Sequence, residues 1–245
     1  MEDKALLSTE VASGAEKAEL LIVIPAYNEA ENIERVVNHL TANFPQYDYV
    51  VVNDGSRDET AAICQRNGYN LLNLPVNLGL AGAFQAGLKY ADKYGYQYAV
   101  QLDGDGQHRP EYLESMIKKM EEDYDIVIGS RFVGEKKPFT MRMLGSNLIE
   151  MAIRFTTGVN IKDPTSGMRM FSKRMIREFA SGLNYGPEPD TVSYLIRQGA
   201  RVAEVPVIMD ERILGVSYLT PVNAMRYMLK MLISILLIQN FRKRR

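Results

Sequence analysis

An α/β fold, with a mostly parallel central sheet flanked by helices, is predicted by two features of the chain. Short continuous apolar runs lie at residues 20–24 and 49–52 and further strand-like segments at 70–74 and 98–102, and each is followed by a turn and a segment of helical periodicity. Continuous apolar runs are what strands buried on both faces require, and strand-helix alternation makes successive strands parallel. The 245 residues suffice for a substantial core, as one domain or two merged halves.

Residues 1–19 are polar apart from a short patch at 5–7 and lack the basic start and apolar centre of a signal peptide, so they read as a loose extension. The first strand ends in Pro25, after which Ile33, Val36, Val37 and Leu40 share one helical face. The second ends in Asn53-Asp54-Gly55-Ser56, and a helix follows the acidic start at Asp58 and Glu59. The third leads through Pro75 and Gly79 into a helix reaching Tyr90. The fourth delivers Asp103-Gly104-Asp105-Gly106-Gln107-His108 ahead of a helix near Pro110. The second half reads as a strand at 125–128, a loop with Lys136 and Lys137, a long helix over 142–155 and a strand near 168–171. Helices from Lys173 and over 190–198 follow, then a strand at 202–207.

Composition narrows the function. A hydrophobic fraction of 46% and a net charge of −1 argue against disorder and against nucleic-acid binding. The single cysteine, Cys64, has no internal disulfide partner and reads as a small core residue of a protein in a reducing cytosol.

Asp103 and Asp105 sit where a strand ends, the place at which α/β sheets hold ligands. Two carboxylates followed by a carboxamide form a hard-oxygen set suited to Mg²⁺ or Mn²⁺ shared with a diphosphate. Asp-Gly pairs are also common surface turns, so the pattern gains weight only from its company. That company is Pro25-Ala26-Tyr27-Asn28-Glu29 and Asn53-Asp54-Gly55-Ser56, two further turns at the carboxyl ends of predicted strands. Three such turns on one sheet edge predict a nucleotide-sugar site.

The order of these motifs resembles the inverting family-2 glycosyltransferases with the GT-A fold, from about Leu20 onward. The resemblance implies that Pro25, Tyr27, Glu29 and Asp54 contact the nucleoside. It also implies that Asp103 and Asp105 are the metal motif, Asp103 serving the metal or the donor's ribose and sugar, and that Gln107 helps hold the metal. Gly129-Ser130-Arg131-Phe132, then Arg142 and Ser146, then the run from Asp163 to Arg169 resemble dolichol-phosphate mannosyltransferases and bacterial polyprenyl-phosphate relatives. Arg142 and Ser146 share a helix face, and an arginine fork with a hydroxyl suits phosphate oxygens, as does Arg131 after a strand end. Arg212 resembles the family's late phosphate-binding arginine, although Tyr218 stands where relatives usually carry lysine. Processive synthases usually carry a Gln-x-x-Arg-Trp string, and this chain has no tryptophan.

These features predict inverting, metal-dependent transfer of a sugar from a nucleotide donor, UDP-linked hexose or N-acetylhexosamine, to undecaprenyl or another polyprenyl phosphate in cell-envelope glycan synthesis. A phosphate acceptor arrives ionised and needs no general base. Asp103, Asp105, Arg131, Arg142 and Ser146 are the expected catalytic set. If the acceptor is instead a saccharide or glycolipid hydroxyl, Glu188 and Asp190 are the base candidates. A catalytically silent nucleotide-binding module is the alternative of another class. His39 and His108 are expected to take no direct part.

The catalytic domain is expected over 20–221, and residues 222–245 read as an amphipathic helix with Arg226, Lys230 and Ser234 on one face and a basic end. Its uncharged stretch, 231–238, is too short to span a bilayer. The expectation is peripheral attachment to the cytoplasmic face of the cell membrane, with packing on protein as the alternative. A small membrane-protein partner or a homo-oligomer is compatible with either.

Overall fold

A computed structural model describes residues 18–135, 137–138, 140–181, 186–210 and 221–239. The elements run β1 (Leu20–Ala26), α1 (Ile33–Asn43), β2 (Asp48–Asn53), α2 (Thr60–Arg66), β3 (Leu71–Asn73), α3 (Gly79–Tyr94) and β4 (Tyr98–Gln101). They continue with α4 (Leu113–Met120), β5 (Ile126–Ser130), α5 (Met141–Thr157), β6 (Arg169–Ser172), α6 (Lys173–Ser181), α7 (Pro189–Arg197), β7 (Val202–Pro206) and α8 (Pro221–Ile233). A π-helical turn, Ser234–Ile238, extends α8. The strand order in the sheet is β3-β2-β1-β4-β6-β5-β7. The predicted mostly parallel sheet flanked by helices is therefore what the chain forms.

The chain divides into two compact units: residues 1–110, 170–186 and 210–215 make the first, and 111–169, 187–209 and 216–245 the second. In the first unit β1 pairs in parallel with β2 and β4, and β2 with β3. Six of the seven residues of β1 are buried, as expected of a central strand with helices on both faces. Helix α3 lies so close to β1 that a Cβ on Gly87 would fall 2.3 Å from Cγ1 of Val23. Phe84, Phe171 and Phe179 close the same core with ring centroids 5.3 to 5.5 Å apart, in tilted and edge-on contacts.

Cys64 is fully buried under α2, and burial pushes its thiol up to about 11. A thiol in that state carries almost no thiolate at neutral pH. In the native protein Cys64 is therefore expected to resist a disulfide reagent at pH 8 and to react at once in urea; rapid native labelling would contradict its burial.

In the second unit β5 pairs in parallel with β7, with α4 against both. Helices α5, α7 and α8 pack on one another, Met228 of α8 approaching Gly145 so closely that a Cβ there would lie 2.7 Å from its Cγ. Met231 and Ile235 are buried. Ser234, expected to share one face with Arg226 and Lys230, is buried while those two are exposed, and its hydroxyl donates to Oδ2 of Asp190 at 2.6 Å. The basic end at 242–245 lies outside the described residues.

Candidate active site

The parallel strands of the first unit bring the carboxyl ends of β1, β2 and β4 to one edge. Pairing of Pro25 with Val52 and Ala26 with Asn53 sets the turn after β1 beside the turn after β2. Asn28 adopts a left-handed conformation (φ 55°), in which its N–H donates to Oγ of Ser56 at 3.0 Å and its Oδ1 accepts from the N–H of Arg57 at 2.9 Å. The Glu29 N–H donates to Oγ1 of Thr60 at 2.9 Å and the Ala30 N–H to Oδ2 of Asp58 at 3.1 Å. Burial alone would raise the Asp58 carboxyl, but hydrogen bonds from Thr60 and Ala30 outweigh it and hold the group below the ordinary range. Asp54 is buried, and its Oδ1 accepts from the N–H of Leu78 at 2.7 Å. Tyr27 is half-buried on the same edge.

Strand β4 is shorter at this edge than β1. Its last pair is Gln101 with Val23, so the chain leaves the sheet at Leu102 and the carboxylates fall on a loop. A Cβ on Gly104 would lie 3.2 Å from the Pro25 carbonyl, so glycine lets this loop settle on the end of β1. Asp103 accepts at Oδ1 from Nε2 of Gln101 at 2.9 Å, and its N–H donates to Nδ1 of His108 at 3.0 Å. His108 thus shapes the loop, with Nε2 3.6 Å from Oδ2 of Asp103. Asp105 accepts at Oδ1 from the N–H of Gln107 at 3.0 Å, and its carbonyl accepts from Nη2 of Arg35 at 3.0 Å. Gly106 is left-handed (φ 81°) and its Cα faces the Arg35 guanidinium, so a side chain there would be both strained and blocked.

Gln107 points its amide nitrogen at the Asp210 carbonyl, 3.3 Å away, while the Asp210 N–H donates to the Gln107 carbonyl at 2.9 Å. Arg109 grips the Asp210 carboxylate through Nε at 2.9 Å to each oxygen, and through Nη2. This guanidinium holds the Asp210 carboxyl below its ordinary range. The contact with the Asp210 carbonyl engages the nitrogen of the Gln107 amide and not its oxygen. Among the described residues there is no group of three or more His, Cys, Asp or Glu side chains that could hold a metal by themselves. Two carboxylates and one amide oxygen on a single loop fit Mg²⁺ or Mn²⁺, ions that keep places for water and substrate phosphates rather than filling an all-protein cage.

The second unit carries the expected phosphate-binding residues. Arg131 follows β5, and its Nε and Nη2 donate to Asp163 at 2.7 and 2.8 Å, as does its backbone N–H at 3.1 Å. Asp163 has no exposed side-chain surface, and its own N–H is held by Glu204 at 2.8 Å. Arg131 is thereby fixed through Nε, Nη2 and its backbone N–H. Ser146 is buried on α5 and its Oγ has no hydrogen-bond partner among the described residues. Arg142 lies in the first turn of α5, one turn ahead of Ser146. Arg212 lies outside the described residues.

The base candidates are both engaged by α8 and its extension. Glu188 accepts from the Tyr227 hydroxyl, and Asp190 accepts from Ser234 and, at 3.4 Å, from Nε2 of Gln239. Burial and the neighbouring Glu188 carboxylate push the Tyr227 phenol well up. Arg169, fully buried nearby, donates to the Ser166 and Pro164 carbonyls and keeps Nη1 unpartnered; burial lowers its guanidinium against the pull of Tyr227, Glu188, Asp163 and Asp190.

Sequence reasoning passed over Arg35, Arg109 and Asp210, and named Asp163 only within a motif. No local signal marks Arg109 and Asp210, which meet across 101 positions. The Asp163 pairing could have been suspected from an acid before Pro-Thr-Ser in a turn that follows a buried strand and its arginine.

An α/β sheet of this kind, with acidic turns gathered at the carboxyl ends of its parallel strands, is the fold of the GT-A class. The glycosyl transferase family 2 model matches residues 21–179, and the chain belongs to that family. It is 31% identical to the polyprenol monophosphomannose synthase of Mycolicibacterium smegmatis, over 86% of this chain and 84% of that one. It is 30% identical to a UDP-N-acetylglucosamine–dolichyl-phosphate N-acetylglucosaminyltransferase of Methanococcus voltae, over 77% and 84% of the two chains. Its fold is similar to that of glucosyl-3-phosphoglycerate synthase from Mycobacterium tuberculosis in complex with Mn²⁺, uridine diphosphate and phosphoglyceric acid. That likeness has a TM-score of 0.66 at 19% identity, covering 92% of this chain and 79% of the other.

Proposed function

We propose that this protein is an inverting glycosyltransferase that moves a sugar from a nucleotide-sugar donor onto a polyprenyl phosphate at the cytoplasmic face of the cell membrane, for cell-envelope glycan synthesis. The observation that carries the acceptor is the engagement of Glu188 and Asp190 by Tyr227, Ser234 and Gln239. A sugar hydroxyl must lose its proton as it attacks, and these carboxylates are committed to other donors. A phosphate monoester has its second ionisation near pH 6 and brings its own charge. The names of the two relatives support the same acceptor class.

In this reading Pro25, Tyr27, Glu29 and Asp54 hold the nucleoside, and Asp103, Asp105 and Gln107 hold Mg²⁺ or Mn²⁺, with Asp103 also in reach of the donor. The ion supplies positive charge against the departing nucleoside diphosphate. Nη1 of Arg131, with Arg142 and the unpartnered hydroxyl of Ser146, orients the acceptor phosphate, whose oxygen attacks the anomeric carbon as the diphosphate leaves from the opposite side. Arg212 is assigned to the donor phosphates.

The sequence favours a UDP-linked donor, whereas one of the two relatives is named for mannose, so the test spans both. Purified protein is incubated with Mn²⁺, undecaprenyl phosphate and radiolabelled UDP-glucose, UDP-N-acetylglucosamine or GDP-mannose in turn. One donor is expected to give a lipid-extractable sugar released by mild acid. Failure with every common donor, alongside transfer to a saccharide, would overturn the proposal.

A further inference from the structure

Scattered exposed leucines are ordinary on a protein surface, whereas their concentration on one face is informative. Among the described residues, fourteen large apolar side chains are exposed; four lie on α5 and six on α8 and its π turn. On α5 they are spaced as one stripe, from Leu144 through Leu148 and Met151 to Phe155, the last two 65% and 86% exposed. On α8 the outer stripe includes Leu229 and Ile233. The two helices pack on each other through Met228 and Gly145, so the stripes adjoin within the second unit.

The outer face of α8 and its extension is far more apolar than that of a helix that faces water. Ser234 and Gln239 are buried beside Met231 and Ile235, while Met225, Leu229, Ile233, Leu236, Leu237 and Ile238 are exposed. The charges interspersed on the outer faces are Arg154, Arg226 and Lys230, all exposed. The acid of α5, Glu150, is neutralised by Lys137 at 2.7 Å, and α8 has none. A two-fold contact between copies would set these like charges against one another across the same patch. An anionic bilayer surface instead matches both the apolar stripes and the cations, in the manner of helices that lie at the headgroup level.

We propose that α5 and α8 together form a plate that rests on an anionic phospholipid leaflet, with α5 contributing lipid contacts of its own through Leu148, Met151 and Phe155. The plate extends the lipid-acceptor reading above and would seat the protein where such an acceptor resides. No helix of the described residues is long and apolar enough to cross a membrane, so the contact is with the surface.

The test is co-sedimentation of the full chain with phosphatidylcholine vesicles, with and without phosphatidylglycerol. The wild type is expected to bind the anionic vesicles more strongly and to release in high salt. The double variant Met151→Glu/Phe155→Glu leaves α8 and the basic end intact, and is expected to lose binding by about tenfold or more. Unchanged thermal unfolding of the variant shows that it folds. Wild-type-like binding by the variant would remove α5 from the plate, and no vesicle binding by the wild type would overturn the whole proposal. Lipid-free dimerisation abolished by the variant would also overturn it, assigning the face to a second copy. Vesicle binding as expected, without transfer to any polyprenyl phosphate, would leave the plate standing and sink the proposed activity alone.

Discussion

Asp105→Ala is expected to lower kcat for sugar transfer by at least about 10²–10³-fold, the scale on which a group that stabilises developing charge is felt. The residue is buried and its Oδ1 is tied to the Gln107 N–H, so in the proposed site one carboxylate would both offer oxygen to the cation and hold Gln107 in place. Asp105→Asn separates these roles. An amide oxygen can still accept from Gln107, but the negative charge is gone. If the charge is what matters, the asparagine variant loses nearly as much activity as the alanine variant, and its affinity for Mn²⁺, read by electron paramagnetic resonance of the free ion, falls in parallel. Activity within tenfold of wild type for Asp105→Ala would remove this residue from the metal site. Thermal unfolding is expected to change little, since the loop contributes few core side chains.

The largest expected effect on stability lies at Asp163. The carboxylate is fully inside the protein and takes three donors from Arg131 alone. Asp163→Ala strands a partly buried guanidinium and a backbone N–H, and breaking a buried pair from one side costs about 3–5 kcal/mol. The midpoint of urea unfolding should move accordingly; a loss below about 1 kcal/mol would show that water or a neighbour replaces the carboxylate. Removing both charges, as in Arg131→Met/Asp163→Leu, is expected to recover much of the stability, because neither partner is left unpaired. That double variant should remain inactive if Arg131 meets the acceptor phosphate, which separates its chemical role from its structural one.

The strands were legible because their apolar runs are continuous and sharply punctuated. Residues 20–24 and 49–52 had to be buried on both faces, and the turns that follow them had to lie at one edge once the strands were parallel. Asp54, Asp103 and Asp105 were legible for the same reason, since a strand end fixes where the next residues go. The pairing of Arg131 with Asp163 was less so, because a charge at a strand end can equally meet solvent, ligand or another side chain. Helix α8 shows a different difficulty. Its periodicity separates two faces, but periodicity does not say which face turns inward when a half-buried acid such as Asp190 competes for hydroxyl and amide donors. Ser234 was grouped with Arg226 and Lys230 by periodicity and polarity, and its hydrogen bond to Asp190 sets it apart from them.

The attachment of α8 through Tyr227, Ser234 and Gln239 bears on how this protein can be engineered. Trimming an amphipathic terminal helix is the usual way to obtain a water-soluble catalytic fragment. Here the cut would strip Glu188 and Asp190 of donors and uncover the surfaces of α5 and α7 on which α8 packs, so a trimmed protein could lose activity for reasons unrelated to location. Polar substitutions on the outer stripe, which leave those inward contacts in place, are the better route to a fragment that handles easily and still reports on catalysis.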